Sequence, residues 1–347
     1  MLIVPVKFLR EVTPYFRKAS IISEVGWELQ RAFLSGCGSA ATPAPTPRSP
    51  QRADTCYLPL QLAFLARNLR HVDPSGRTLE LHSPDGVHSC ALRAADAADA
   101  AAWFKALHRA LGALTERATA LANRVLAGSV GEVQLMGWLA RWRPPPGASA
   151  DSSPTGDAAS PLAWQSVFAA VTDRELRLYE SAPWSPEAWA APAEACPLLA
   201  TRLVSGSHSG EALFVVRVGT VDGVVTHRLR AQTQRDLAAW VRELVYGPHQ
   251  AVRAQREVGV RCSWQGRPCQ LALNLDNGFS LLEGGVVVWH APFGRLRASA
   301  DDAAHRLWLD FGEDTELELE LEASPKPFVF ILHNFLSAKI EELGLTA

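Results

Sequence analysis

No stretch of the 347 residues approaches the roughly 18 consecutive apolar side chains that a membrane-spanning helix needs. The apolar start, MLIVPVKFLREV, is broken by Lys7 and Arg10 too early for a signal-peptide core. An excess of charge of one sign is also missing. With a net charge of −2 there is no bulk attraction to nucleic acid or to an anionic bilayer, so any such site has to be a local patch. Cysteine is thinly spread over Cys37, Cys56, Cys90, Cys196, Cys262 and Cys269. Only the last two lie close together, and no His follows at ligand distance, so there is no zinc pattern and the expectation is reduced, mostly buried thiols in a cytosolic protein. Catalytic constellations are lacking as well: no Gly-rich phosphate loop, nucleophile elbow, His-Glu zinc motif or calcium loop occurs. The expectation is a chain that is not an enzyme and needs no cofactor and no metal.

What is present is a repeat. Leu92–Trp103 (LRAADAADAAAW) and Leu229–Trp240 (LRAQTQRDLAAW) share seven identical positions in register, and in both a Leu follows four residues after the Trp. Each reads as a strand end turning into an amphipathic helix, with Trp103 over Leu107 and Trp240 over Leu244 on one face. Upstream of the first helix, Tyr57–Ala66 alternates as a strand, and Leu79–Leu81 and Val87–Arg93 form a hairpin about the Ser83–Gly86 turn. This is half a domain. Upstream of the second helix, six or seven strands are legible between Leu135 and Arg230, and the helix is expected to close at Gly247-Pro248. From Cys269 to Leu321 strand-like segments recur, followed by a helix from about Lys326 to Leu343 that puts Phe328, Phe335, Leu336 and Ile340 on or near one face. A third, divergent barrel of the same kind is expected there.

The fold class is therefore mainly β (α+β) and multi-domain: antiparallel β-barrels, each capped by a C-terminal helix. Gly36–Asp54 is linker chemistry, rich in Pro, Ser, Thr, Gly and Ala. Its Thr42-Pro43, Thr46-Pro47 and Ser49-Pro50 pairs fit proline-directed kinases, and an unmodified spacer fits equally well. The acids of Glu313–Glu322 alternate with Leu317, Leu319 and Leu321, as on a solvated outer strand rather than at a metal or acid-base site. Two features offer surplus apolar surface for a protein partner, the insertion holding Trp184 and Trp189 and the terminal helix, although a helix face that is wholly core fits the latter equally well.

The strand Met136-Gly137-Trp138-Leu139, the strand Val167–Val171 and the helical Trp240 resemble a pleckstrin homology domain. More closely, VKFLREVTPY (6–15), SEVGWE (23–28), LELHSPD (79–85), PLLATRLV (197–204), WLDFG (308–312) and FLSAKI (335–340) resemble the syntrophins, most like the beta type, over nearly the whole chain. The resemblance implies a C-terminal PDZ remnant at 1–16, a disordered linker at 17–54 and the second half of a split pleckstrin homology domain at 55–117. A helical linker at 118–130, a complete second pleckstrin homology domain at 131–248 and a syntrophin-unique domain at 249–347 follow. It places the first half of the split domain and the PDZ groove outside this sequence. Capture of channel C-termini and of neuronal nitric oxide synthase, and phosphoinositide binding by the intact first domain, are therefore not carried over.

The resemblance further implies an adaptor that docks onto dystrophin, utrophin and dystrobrevin through the second barrel and the unique region. It extends the partners to actin and calmodulin, and places the protein at the inner face of the plasma membrane, on the cytoskeleton. The alternative is a peripheral module recruited by phosphoinositides. Arg141 and Arg143 are the only basic residues where such domains hold a headgroup, and the loop after them carries Asp151 and Asp157, so weak or no direct binding is expected.

Overall fold

A computed structural model describes residues 58–126, 128–143, 164–204, 212–312 and 315–344. They divide into two compact units: residues up to Ala170 with Arg177–Glu194, and Val171–Leu176 with Ala195 onward. The expected PDZ remnant and the kinase-type Ser/Thr-Pro pairs lie outside the described residues.

The first unit opens with a three-stranded antiparallel sheet, β1 (Phe64–Ala66), β2 (Thr78–His82) and β3 (Ser89–Arg93), followed by α1 (Ala97–Val125). The expected strand at 57–66 is shorter than its alternating leucines suggest. Leu62 takes a positive φ of 56°, and the Ala63 N–H bonds back to the Leu60 carbonyl, so 58–63 is a buried turn. Strands β7 (Glu194–Pro197), β6 (Glu175–Tyr179), β5 (Trp164–Thr172) and β4 (Val133–Trp142) run side by side in that order; β4 and most of β5 and β6 fall in this unit, β7 only at Glu194. The half-barrel is not isolated. Trp138 on β4 donates its indole N–H to the Leu62 carbonyl at 2.6 Å, stacks on Phe64 at 5.6 Å and meets Phe168 edge-on. Ala118, Ala122 and Leu126 of α1 share a core with Met136, Phe168 and Tyr179.

The second unit carries β8 (Thr201–Val204), β9 (Leu213–Thr220) and β10 (Gly223–Arg230), then α3 (Gln234–Gln255); a short α2 (Pro186–Ala190) lies before β7 in the first unit. Strands β11 (Glu257–Trp264), β12 (Arg267–Asn274), β13 (Gly278–Glu283), β14 (Val286–Ala291), β15 (Ala298–Asp301), β16 (Arg306–Asp310) and β17 (Glu316–Leu321) form one antiparallel sheet ordered β14-β13-β12-β11-β17-β16-β15. Helix α4 (Lys326–Glu342) is the last element among the described residues. The run β14-β13-β12-β11 repeats the order of β7-β6-β5-β4, and β17-β16-β15 that of β10-β9-β8. On β17 the glutamates Glu316, Glu318 and Glu320 face out and Leu317, Leu319 and Leu321 face in.

The repeated Asp lies in the first turn of a capped helix. Asp96 caps α1 by accepting from the Asp99 N–H, and Thr233 caps α3 by accepting from the Asp236 N–H, so the shared Asp is the third helical residue in both. Asp99 and Asp236 thus place a negative charge in the first turn, where the helix dipole favours it. The expected stop of α3 at Gly247-Pro248 is overturned, because the helix runs on to Gln255 with Pro248 buried inside it. Packing against α4 and against the turn at Leu198–Ala200 outweighs the hydrogen bond lost at proline.

Gly219 on β9 marks a close approach. A Cβ there would sit 2.6 Å from the Lys326 carbonyl oxygen and 2.9 Å from Pro327 Cα. Gly219→Ala is expected to cost about 1–3 kcal/mol by pushing the start of α4 off the strand. Gly112→Ala on α1 meets nothing within 4 Å and is expected to gain about 0.5–1 kcal/mol. Urea midpoints of the two variants check both signs.

Candidate functional site

Helix α4 is the element about which the second unit is built. Its Phe328, Leu332, Phe335 and Ala338 enter the core of the last barrel beside Leu271, Phe279, Leu309 and Leu319. Asn334, on a neighbouring part of the helix, is buried and aims elsewhere: its amide donates to the carbonyls of Leu199 at 2.8 Å and Thr201 at 3.1 Å, and to that of Leu198 at 3.4 Å. Those carbonyls lie in the turn leading into β8 and on the first residue of that strand. One helix therefore closes the last barrel on one side and is pinned to the β8 region on the other.

Charges fasten its ends. Lys326 pairs with Asp301 at 2.8 Å. Glu341 accepts from His249 at 2.8 Å and from Arg253 at 3.0 Å, both on α3. Burial pushes the Glu341 carboxyl up, but the hydrogen bonds and positive charge of those two partners outweigh it and hold it below the usual carboxylate range.

Of the aromatic residues expected to form surplus surface, Phe328 and Phe335 are 2% and 0% exposed and Trp189 is 1% exposed. They are core, and a partner cannot reach them in this conformation. Trp189 packs edge-on against Tyr179, and its carbonyl accepts from the Tyr179 hydroxyl and from Arg177. Trp184, Leu336 and Ile340 are half-buried and keep one side toward solvent. In the repeat, Leu107, Trp240 and Leu244 are buried and Trp103 is half-buried. The surplus of apolar residues on α4 arises because the helix packs in two directions, which a single-face reading of its sequence does not show.

Arg141 and Arg143 line a cavity of about 490 Å³ together with Arg70, Trp164, Tyr179, Glu180 and Glu194. Arg141 is already paired with Glu194. Three guanidinium groups face two carboxylates, a lining less positive than a polyphosphate headgroup requires.

Among the described residues, no group of three His, Cys, Asp or Glu side chains is placed to hold a metal ion. The described cysteines are free thiols, and burial pushes Cys262 up to about 11, which leaves it protonated and unreactive at neutral pH. Nor is any helix among the described residues long and apolar enough to cross a membrane.

Two family models match the chain: a syntrophin C-terminal PH domain over residues 253–345 and a PH domain over residues 51–109. Human beta-2-syntrophin is 38% identical over 98% of this chain and 64% of its own length. Syntrophin-1 of Caenorhabditis elegans is 38% identical over 83% of this chain and 65% of its own. The chain thus spans about two thirds of the length of these curated relatives. Among solved structures, the Slm1 PH domain in complex with inositol-4-phosphate is 12% identical, covering 33% of this chain and 95% of that one, with a TM-score of 0.25; so low a score supports no inference about this chain.

Proposed function

The chain belongs to the syntrophin family, and from that premise we propose that it is a non-enzymatic adaptor whose second unit is the docking body for dystrophin, utrophin or dystrobrevin. The observation that carries the reading is the double engagement of α4. Because Phe335 fills the last barrel while Asn334 holds the β8 turn, residues 195–344 form one body able to present a single continuous surface. A preformed surface of this kind limits the ordering entropy lost on association. In this reading the protein works at the inner face of the plasma membrane, held there by its partners and joined through them to the actin cytoskeleton. Calmodulin and actin are further partners under the same reading. Of the domain limits proposed from the sequence, 55–117, 131–248 and 249–347, the one at 248 falls inside α3, which runs on to Gln255, so the last two are joined by a continuous helix.

A pull-down with the full chain tests this. Retention of the C-terminal region of dystrophin, utrophin or dystrobrevin is expected, and failure to retain any of the three would refute it. The second reading, recruitment by phosphoinositides, draws on the cavity at Arg141 and Arg143. Sedimentation with phosphoinositide vesicles that is salt-sensitive and lost in Arg141→Ala/Arg143→Ala would favour it.

A further inference from the structure

Strands β8, β9 and β10 hold no Asp or Glu among their residues, yet they carry Arg202, Arg217, Arg228 and Arg230. Strand register places all four on one face. Arg202 stands directly opposite Arg217, which stands opposite Thr226; in the next row Val204 meets Val215, and Val215 meets Arg228. The other face is core, with Thr201, Phe214, Val216, His227 and Leu229 buried. Like charges directly opposite one another on a sheet destabilise it, and a pair that folding does not use is retained at a cost.

Neither guanidinium of the facing pair is neutralised within the described residues. Arg217 is exposed and forms no hydrogen bond or ion pair among them. Arg202 donates to His333 Nδ1 on α4 at 2.8 Å. Since a guanidinium has no acceptor, that ring nitrogen must be the acceptor, so the imidazole is neutral with its proton on Nε2. Burial and the adjacent Arg202 both hold the His333 pKa below its usual value, in keeping with that state. Exposed Val204 and Val224 flank the pair on the same face.

We propose that the Arg202–Arg217 face of β8–β10 docks an acidic, partly apolar peptide segment of a protein partner, two carboxylates replacing the missing counter-charges and aliphatic side chains covering the valines. The assignment deepens the adaptor reading and rests on it only for the partner's name. An anionic bilayer is the weaker fit, since the four arginines of this face stand at the lower end of the clusters of about four to eight basic residues that membrane-surface attraction takes. A carboxylate, by contrast, is matched by the planar fork of one arginine.

The test uses the full chain and a fluorescein-labelled 16-residue peptide of Glu, Leu and Ala, read by anisotropy at low and moderate salt. Saturable, salt-sensitive binding is expected, weakened about ten-fold or more in Arg202→Ala/Arg217→Ala. Arg217→Glu should melt no lower than the parent, because an opposite-charge pair replaces a repulsive one, while binding the peptide more weakly still. Absence of saturable peptide binding, or equal affinity in the double variant, overturns the proposal. So does a double variant whose only deficit is sedimentation with phosphatidylserine vesicles, or whose only change is lost self-association by light scattering. Capture of the dystrophin C-terminal region by parent and double variant alike would remove this surface and leave the adaptor reading standing. Failure of the parent to capture it, with the peptide result intact, would do the reverse.

Discussion

Phe335→Ala is expected to destabilise the second unit by about 4 kcal/mol and to abolish partner docking with it. The ring is wholly buried, in a core with Phe328, Leu332, Phe279 and Leu309. Deleting a buried Phe removes its transfer free energy and leaves a cavity that close-packed neighbours only partly refill, a combination that costs about 3–5 kcal/mol. For a body of this size that lowers the melting temperature by roughly 10 °C. Leu336→Ala, one residue on, should cost no more than about 1–2 kcal/mol because that side chain is only half-buried. The contrast separates core from surface on the same helix. A docking defect in Leu336→Ala at unchanged melting temperature would assign the exposed strip of α4 to the partner, whereas a defect seen only with Phe335→Ala reports unfolding.

The second large effect is at Glu80, whose carboxylate is buried at 2% exposure in the three-stranded sheet. Its oxygens accept from the backbone N–H groups of Leu69, Arg70 and His71 at 2.9–3.1 Å, and stand 3.3 Å from His82 Nε2. Burial pushes the acid up, but the hydrogen bonds from His82, His71, Arg70 and Leu69 together outweigh it, and the carboxyl lies at about 2 rather than 4.5. The folded value is below the unfolded one, so the unfolded chain takes up the proton first on acidification. The stabilisation from Glu80 is accordingly complete above pH 4.5 and is lost as pH falls from there toward 2. Glu80→Ala strands three backbone donors, that of Leu69 buried and those of Arg70 and His71 part-buried, and should cost about 3 kcal/mol at neutral pH. Urea midpoints measured between pH 7 and pH 2.5 should converge for parent and variant on the acid side. Parallel curves would mean that the carboxylate contributes no pH-dependent stability.

How much of this the sequence reveals depends on whether a feature is local. The repeat is local: Asp99 and Asp236 recur because each is the third residue of a capped helix, and Trp240 and Leu244 recur because they share one buried face. The outward glutamates of β17 follow from strict alternation. Strand β11 is masked in the sequence although Val258, Val260, Cys262 and Trp264 alternate, because the charged run Arg253–Glu257 continues α3 into it without a turn signal. The two-residue Gln265-Gly266 turn, with both φ angles positive, then pairs it with β12.

The candidate site was the least legible part, since it depends on placement in three dimensions. Phe328, Phe335 and Trp189 advertise apolar surface in one dimension and turn out to fill cores. Asn334 looks like an ordinary polar interruption of the helix, and only its three carbonyl partners reveal the second packing direction. Arg202 and Arg217 are fifteen positions apart, and nothing short of strand register brings them face to face.

The most direct test of the adaptor account is a hydrogen-exchange footprint of the full chain with and without the dystrophin C-terminal region. The account predicts that binding slows exchange within residues 195–344, at β8–β10 and along α4, and leaves the three-stranded sheet and α1 unchanged. Protection confined to residues 58–143, or none under conditions where the two proteins co-purify, would contradict it.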